Sequence, residues 1–154
     1  MAIITDDMRR IVQATRLCFV ATVDEDGTPN LSPKSSLMVY DDDHLLFANI
    51  ASPNTVRNLR RNPAIEINAI DIFTRRGYRF KGTAIMIPPG NPEFDFVAEP
   101  FWAENGKQFP VHEIVKVEVT RAAPVLSPAY AYIKGLTEED LREAYFGKYG
   151  LRPA

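Results

Sequence analysis

The sequence predicts a mainly β protein: a closed antiparallel barrel of six strands with flanking helices. Three observations carry this. Six apolar or alternating runs recur along the chain, each bounded by Gly, Pro, Asn, Asp or Ser. Helical spacing is confined to a few short segments between and after them. At 154 residues and 45% hydrophobic content, the chain can bury a real core, so residues 1–154 read as a single domain with a tail and helix from about residue 121.

Thr5-Asp6-Asp7 can cap a first helix and places acid at its positive end. Met8, Ile11, Val12 and Thr15 follow at helical spacing. Leu17 to Val23 is a near-continuous apolar run, the first strand. Asp24-Glu25-Asp26-Gly27 is a turn. Pro29 to Tyr40 reads as the second strand and Leu45 to Ala51 as the third, with Asp41 to His44 as the hairpin break. The neighbouring acids of these two turns do not converge as metal ligands would, so no metal site is expected.

Ser52 is a favoured helix N-cap, and Pro53 suits the first helical position because its missing N–H would be unpaired there anyway. Val56 and Leu59 share a helical face, and Asn62-Pro63 stops the helix. Ile65 and Ile67 alternate with Glu66 and Asn68, opening a fourth strand that Ile70, Ile72 and Phe73 extend. Thr74 to Gly77 turns the chain. Tyr78 to Ala84 is a fifth strand, with aromatics on one face and cations on the other. Asn91-Pro92-Glu93 starts a helix that Gly106 can end. Its residues Phe94, Phe101 and Trp102 need a surface to cover, the barrel end or a partner subunit. Val115, Val117 and Val119 face inward in a sixth strand, His112 to Thr120. Beyond it, Pro124, Pro128, Tyr130 and Tyr132 suggest an extended surface segment. Thr137 to Asp140 resembles a capping box that starts a last helix.

The net charge of −2 gives no bulk pull towards nucleic acid. Basic residues cluster locally, at Arg57 to Arg61 and Arg75 to Lys81, which suits a phosphorylated small molecule better than a nucleic-acid surface. Cys18 is the only cysteine and cannot form an internal disulfide, favouring a reducing compartment. No secretory signal and no membrane-length apolar run is visible, so a cytoplasmic location without membrane contact is expected. Only His44 and His112 could act as imidazole bases, and no nucleophile elbow, Cys–His metal spacing or dinucleotide glycine motif is present. A cofactor carrying its own chemistry would fill that gap; no catalytic side chain can be named.

The start of the helix at Pro53 offers such a place. Its unpaired N–H groups and partial positive charge suit an anion, and Ser52, Asn54 and Thr55 add donors, with Lys34 and Arg57 as full charges. The same residues equally suit a plain cap with arginines on a solvated face. Resemblance to a known family bears on the choice. Val20-Ala21-Thr22-Val23 with Asp26 to Asn30, Ser32-Pro33-Lys34, Asp42-Asp43 before Leu46-Phe47-Ala48, Ser52 to Thr55, Asn58-Leu59 with Asn62-Pro63, and Arg76 to Gly82 follow in the order and spacing of that family. The chain resembles the FMN-binding split barrels of the pyridoxamine-phosphate oxidase-like superfamily over roughly Asp6 to Thr120.

The resemblance implies a six-stranded split barrel, usually a homodimer with FMN in the subunit interface. It implies that Ser52 and Thr55 hold the FMN phosphate, with Asn58 and Lys34 nearby and Asn49 and Ala51 flanking. It lays Pro33, Lys34 and Ser35 along the isoalloxazine ring. Arg79 and Lys81 would face the cofactor from the same or the partner subunit, or else form an exposed strand face. Asn54-Thr55 stand where the family often has Lys or Arg. The Arg-x-His substrate motif of true pyridoxamine-phosphate oxidases is absent after Thr120. The expected function is an FMN-dependent oxidoreductase acting with a small-molecule redox substrate or electron donor. The alternatives are a non-catalytic FMN binder or electron carrier, or a dimeric module for another phosphorylated ligand.

Overall fold

Alternation sets the sheet. In β1 (Cys18–Val23), Cys18, Val20 and Thr22 are buried while Phe19 lies exposed between them. The computed structural model describes residues 3–152. Its helix α1 (Asp6–Ala14) precedes β1. The strands β2 (Pro29–Lys34), β3 (Met38–Val39) and β4 (His44–Asn49) follow, then α2 (Pro53–Arg61). Next come β5 (Ala64–Asp71), β6 (Arg76–Ile87), α3 (Pro92–Asn105) and β7 (Glu113–Leu126), with α4 (Ala129–Tyr132) and α5 (Glu138–Lys148) at the end. The strands form one antiparallel sheet in the order β2-β1-β5-β6-β7-β4-β3, curled around a core.

The sheet has seven strands where the pattern predicts six, because Pro29 to Tyr40 breaks at Ser35 to Leu37. There the Ser36 hydroxyl accepts from the Ala48 amide at 2.9 Å, taking the place of a ladder bond. The last strand also runs past Thr120 to Leu126, through Pro124, where an irregular extended segment is expected. Its pairing explains this. β4 accompanies β7 only as far as Glu118, so beyond that point β7 has β6 alone as a neighbour. Pro124 therefore stands on a strand with an open edge, where its missing N–H is tolerated.

The inner core is built from alternate strand residues, among them Val20, Ile67, Phe80, Val115 and Val117, with Val12 of α1 and Leu59 of α2. A second cluster lies outside the sheet. Leu46 and Ala48 of β4 pack with Phe94, Val97 and Ala98 of α3. The helix at Pro92 thus covers the outer face of β4 and β7, not the barrel end. Asn91 caps α3 by accepting from the Glu93 amide at 2.9 Å, and Gly106 ends it with φ 99°. Thr137 and Asp140 complete the capping box of α5.

An ion-pair cluster joins both ends of the chain to the sheet. Arg76 of β6 donates to Asp7 of α1 at 2.6 Å and to Glu138 of α5 at 2.5 Å. The Tyr78 hydroxyl also donates to Asp7, and this bond, with those from Arg10 and Arg76, lowers the carboxyl from its ordinary 3.8 to about 2. A carboxylate whose pKa is depressed on folding stabilises above its unfolded pKa, and that contribution is lost as pH falls through the folded value. Acid should therefore loosen α1 from β6 between pH 3.8 and about 2. The urea midpoint of the native protein should fall across this interval, and that of Asp7→Asn should fall less.

Candidate functional site

The start of α2 is where the predicted residues gather. Ser52 occupies the N-cap position, but its side chain makes no capping bond, against expectation. Its hydroxyl instead donates to Asn49 Oδ1 at 3.3 Å. Pro53 carries no N–H, and the amides of Asn54 and Thr55 receive no side-chain acceptor among the described residues. The turn thus presents unpaired donors at the positive end of the helix dipole.

Behind this turn lies a polar layer between α2 and the β1–β2 hairpin. Thr22, Thr55 and Asn58 are almost wholly buried. Asn30 of β2 donates to Thr22 Oγ1 at 3.1 Å and to Thr55 Oγ1 at 3.4 Å. The Asn58 amide donates to Thr22 Oγ1 at 3.1 Å and to Asp24 Oδ1 at 2.6 Å. Asn58 therefore binds the helix to the hairpin. The sequence pattern does not mark Thr22, Asp24 and Asn30 as ligand-site residues. Their partners lie up to 36 residues away, and only strand register brings them together.

Asn30, Ser32 and Lys34 share the inward face of β2. Lys34 is 8% exposed and donates to Ser32 Oγ and, at 3.2 Å, to the Pro33 carbonyl. It has no carboxylate partner among the described residues, and burial lowers its pKa. A buried ammonium without a counter-charge is costly unless an anion joins it. Cys18, opposite Lys34 in the ladder, is pushed up to about 11 by burial and is an unreactive thiol at neutral pH.

On the far side of the turn, Asn49 is buried and donates to Glu113 at 3.4 Å, and Arg60 neutralises that carboxylate. Ala51 is exposed beside Ser52. Pro33 and Ser35 are exposed where β2 leads into the break before β3. Arg79 and Lys81 stand on the outer face of β6 and both pair with Glu66, at 2.5 and 3.4 Å. Within one chain they are on the opposite sheet face from inward-turned Lys34. The same outer face exposes Leu17, Phe19 and Leu31, at 52, 40 and 64%.

The arrangement is that of a curled half-barrel, open between β2 and β3 where the pattern predicts closure, with an anion-competent helix start, and comparison places it in a family. The pyridoxamine 5'-phosphate oxidase family model matches residues 4–134. The chain belongs to that family. It is 31% identical to HupZ of Group A Streptococcus, covering 80% of this chain and 95% of that one with a TM-score of 0.67. An FMN-binding protein from Syntrophomonas wolfei shares the fold at 18% identity, with a TM-score of 0.71 over 78% of this chain and 84% of that one. HutZ, the heme storage protein of Vibrio cholerae, shares it at 18% identity, with a TM-score of 0.62 over 80% and 94%. No curated protein matches the sequence. Among the described residues no helix is long and apolar enough to cross a membrane.

Proposed function

We propose that the protein is an FMN-dependent oxidoreductase that works as a homodimer in the cytoplasm. The observation that carries this is Lys34: a buried cation without a carboxylate partner, in line on β2 with Asn30, which meets the first turn of α2. That combination fits a phosphate. The amides of Asn54 and Thr55 and the hydroxyl of Ser52 would hold its oxygens, with Lys34 as counter-charge and Asn49 and Ala51 alongside. Asn58 would fix the helix rather than touch the ligand. Pro33 and Ser35 would border the ring. When bound, FMN supplies the hydride and electron chemistry that this chain's side chains lack.

The exposed apolar residues Leu17, Phe19 and Leu31 favour a second copy of the chain on the outer sheet face. That copy would also bring its own Arg79 and Lys81 to the interface. A buried, unreactive Cys18 suits a reducing compartment. Light scattering at micromolar concentration should give a dimer mass, and a monomer mass with FMN bound would refute the dimer.

Anaerobic mixing tests the catalytic part. NADH, NADPH or a reduced deazaflavin should bleach the flavin at a catalytically useful rate, since hydride transfer needs only an open ring face for a second planar molecule. If dithionite bleaches it and none of these donors does, the protein is a flavin carrier or binder and the oxidoreductase reading fails.

A further inference from the structure

The turn into α2 is not wholly disposed towards an anion, and the reason lies one strand away. Asn49 ends β4, and Glu113 opens β7 directly opposite it in the ladder. Asn49 is buried, and its Nδ2 donates to Glu113 Oε2 at 3.4 Å. Its Oδ1 accepts from the Ser52 hydroxyl at 3.3 Å. Its backbone carbonyl accepts from the His112 amide at 2.9 Å, so the main chain here is held as well. The other carboxylate oxygen of Glu113, Oε1, pairs with Arg60 near the end of α2.

A primary amide has a donor end and an acceptor end, whereas an ionised carboxylate only accepts. Glu113 therefore decides which end of Asn49 faces which neighbour. Nδ2 turns to Glu113, and Oδ1 turns to Ser52. The reverse orientation would set Oδ1 against the carboxylate, acceptor to acceptor. The end of Asn49 that meets the phosphate-competent turn is thus an acceptor, and it takes the one proton of the Ser52 hydroxyl. A phosphate monoester at neutral pH is also an acceptor and carries most of two negative charges. To bind Ser52 it must draw that proton away from Asn49. It then faces the amide oxygen, with a carboxylate one hydrogen bond further back. Arg60 offsets the charge only in part, because its side chain is 60% exposed, against 19% for Glu113. Nor does that pairing free the Asn49 amide, since Oε2 still takes its donor.

We infer that Glu113 is a specificity-determining residue of this site. Through Asn49 it keeps an acceptor towards the phosphate, and it holds the preference for phosphorylated over unphosphorylated flavin below what Lys34 and the α2 amides alone would give. Arg60 relieves part of the repulsion. Glu113 touches no ligand in this account and acts as a positioning group. The inference rests on the flavin reading of the α2 turn.

Apo-protein of the native chain and of two variants, titrated with FMN and with riboflavin at fixed salt and followed by flavin fluorescence, tests it. In Glu113→Gln the new amide can donate to Asn49 Oδ1 and still accept from Arg60, so Asn49 is free to turn its Nδ2 to the phosphate. FMN should bind about tenfold more tightly, the scale of one hydrogen bond to a charged group, and riboflavin as before. Arg60→Gln should weaken FMN about threefold, the scale of a solvated charge contact. That weakening should shrink once Glu113→Gln is present, because the charge Arg60 offsets has gone. Arg60 is exposed, so its variant reads the same coupling even if the other destabilises the fold. Suppose the native chain prefers FMN. An FMN-to-riboflavin preference that Glu113→Gln leaves unchanged or lowers, or an Arg60→Gln effect undiminished in its presence, would then overturn the inference and leave the flavin reading standing. Equal affinity of the native chain for both flavins would overturn the flavin reading and the inference with it.

Discussion

Gly82→Ala should unfold the protein roughly 10 °C earlier than the native chain. A Cβ at this position would stand 2.1 Å from the Glu118 carbonyl oxygen and 2.9 Å from Val117 Cγ1. The first is backbone and cannot swing aside. Gly82 sits at the register shift between β6 and β7, the longest strand pair of the sheet, so relief requires prising those strands apart. The inner core residues Phe80 and Ala84 flank the site. A clash of this kind belongs with the severe core and backbone effects, about 3 kcal/mol or more. For a domain of this size each kcal/mol moves the midpoint by about 2–4 °C. Gly147→Ala is the control. It has nothing within 4 Å, lies in α5, and should leave the midpoint unchanged or raise it slightly, by at most about 1 kcal/mol of helix propensity. Scanning calorimetry of the two variants checks both.

Lys34→Met should move stability and cofactor binding in opposite directions. The ammonium is buried beside Ser32 and Pro33 without a carboxylate, so an apolar chain of similar length removes an uncompensated charge. The apo-protein should be as stable as the native one or more so in urea. FMN affinity should fall by about 1.5–3 kcal/mol, roughly tenfold to a hundredfold, as a charge-assisted bond to phosphate is lost. Riboflavin affinity should stay where it was. A lysine that only served the fold would give the reverse: lower stability and unchanged FMN binding.

How far the fold was legible follows from which interactions are local. Alternation is local, so it marks β1, β4, β5 and β6 near their true positions. Caps are local too: Asn91 and Thr137 cap as their neighbours suggest. Ser52 has the right residue type and the wrong partner, because Asn49 at the end of β4 takes its hydroxyl. The break between β2 and β3 depends on Ser36 reaching Ala48, a contact set by tertiary closure. The extension of β7 through Pro124 depends on where β4 stops. For the site, the residue types at the start of α2 were legible. The commitment of Asn58 to Thr22 and Asp24 was not, since it needs the hairpin and the helix docked together. Nor was the tie from Asn49 to Glu113, which needs β4 and β7 paired.

The phosphate end of the ligand is the central claim, and one titration reaches it directly. Apo-protein is titrated with FMN and, separately, with riboflavin, following flavin fluorescence. The two ligands share the ring and the ribityl chain and differ only in the phosphate. If the start of α2 and Lys34 bind that group, FMN is held far more tightly than riboflavin, and added inorganic phosphate weakens FMN alone. Equal affinity for the two flavins would contradict the assignment.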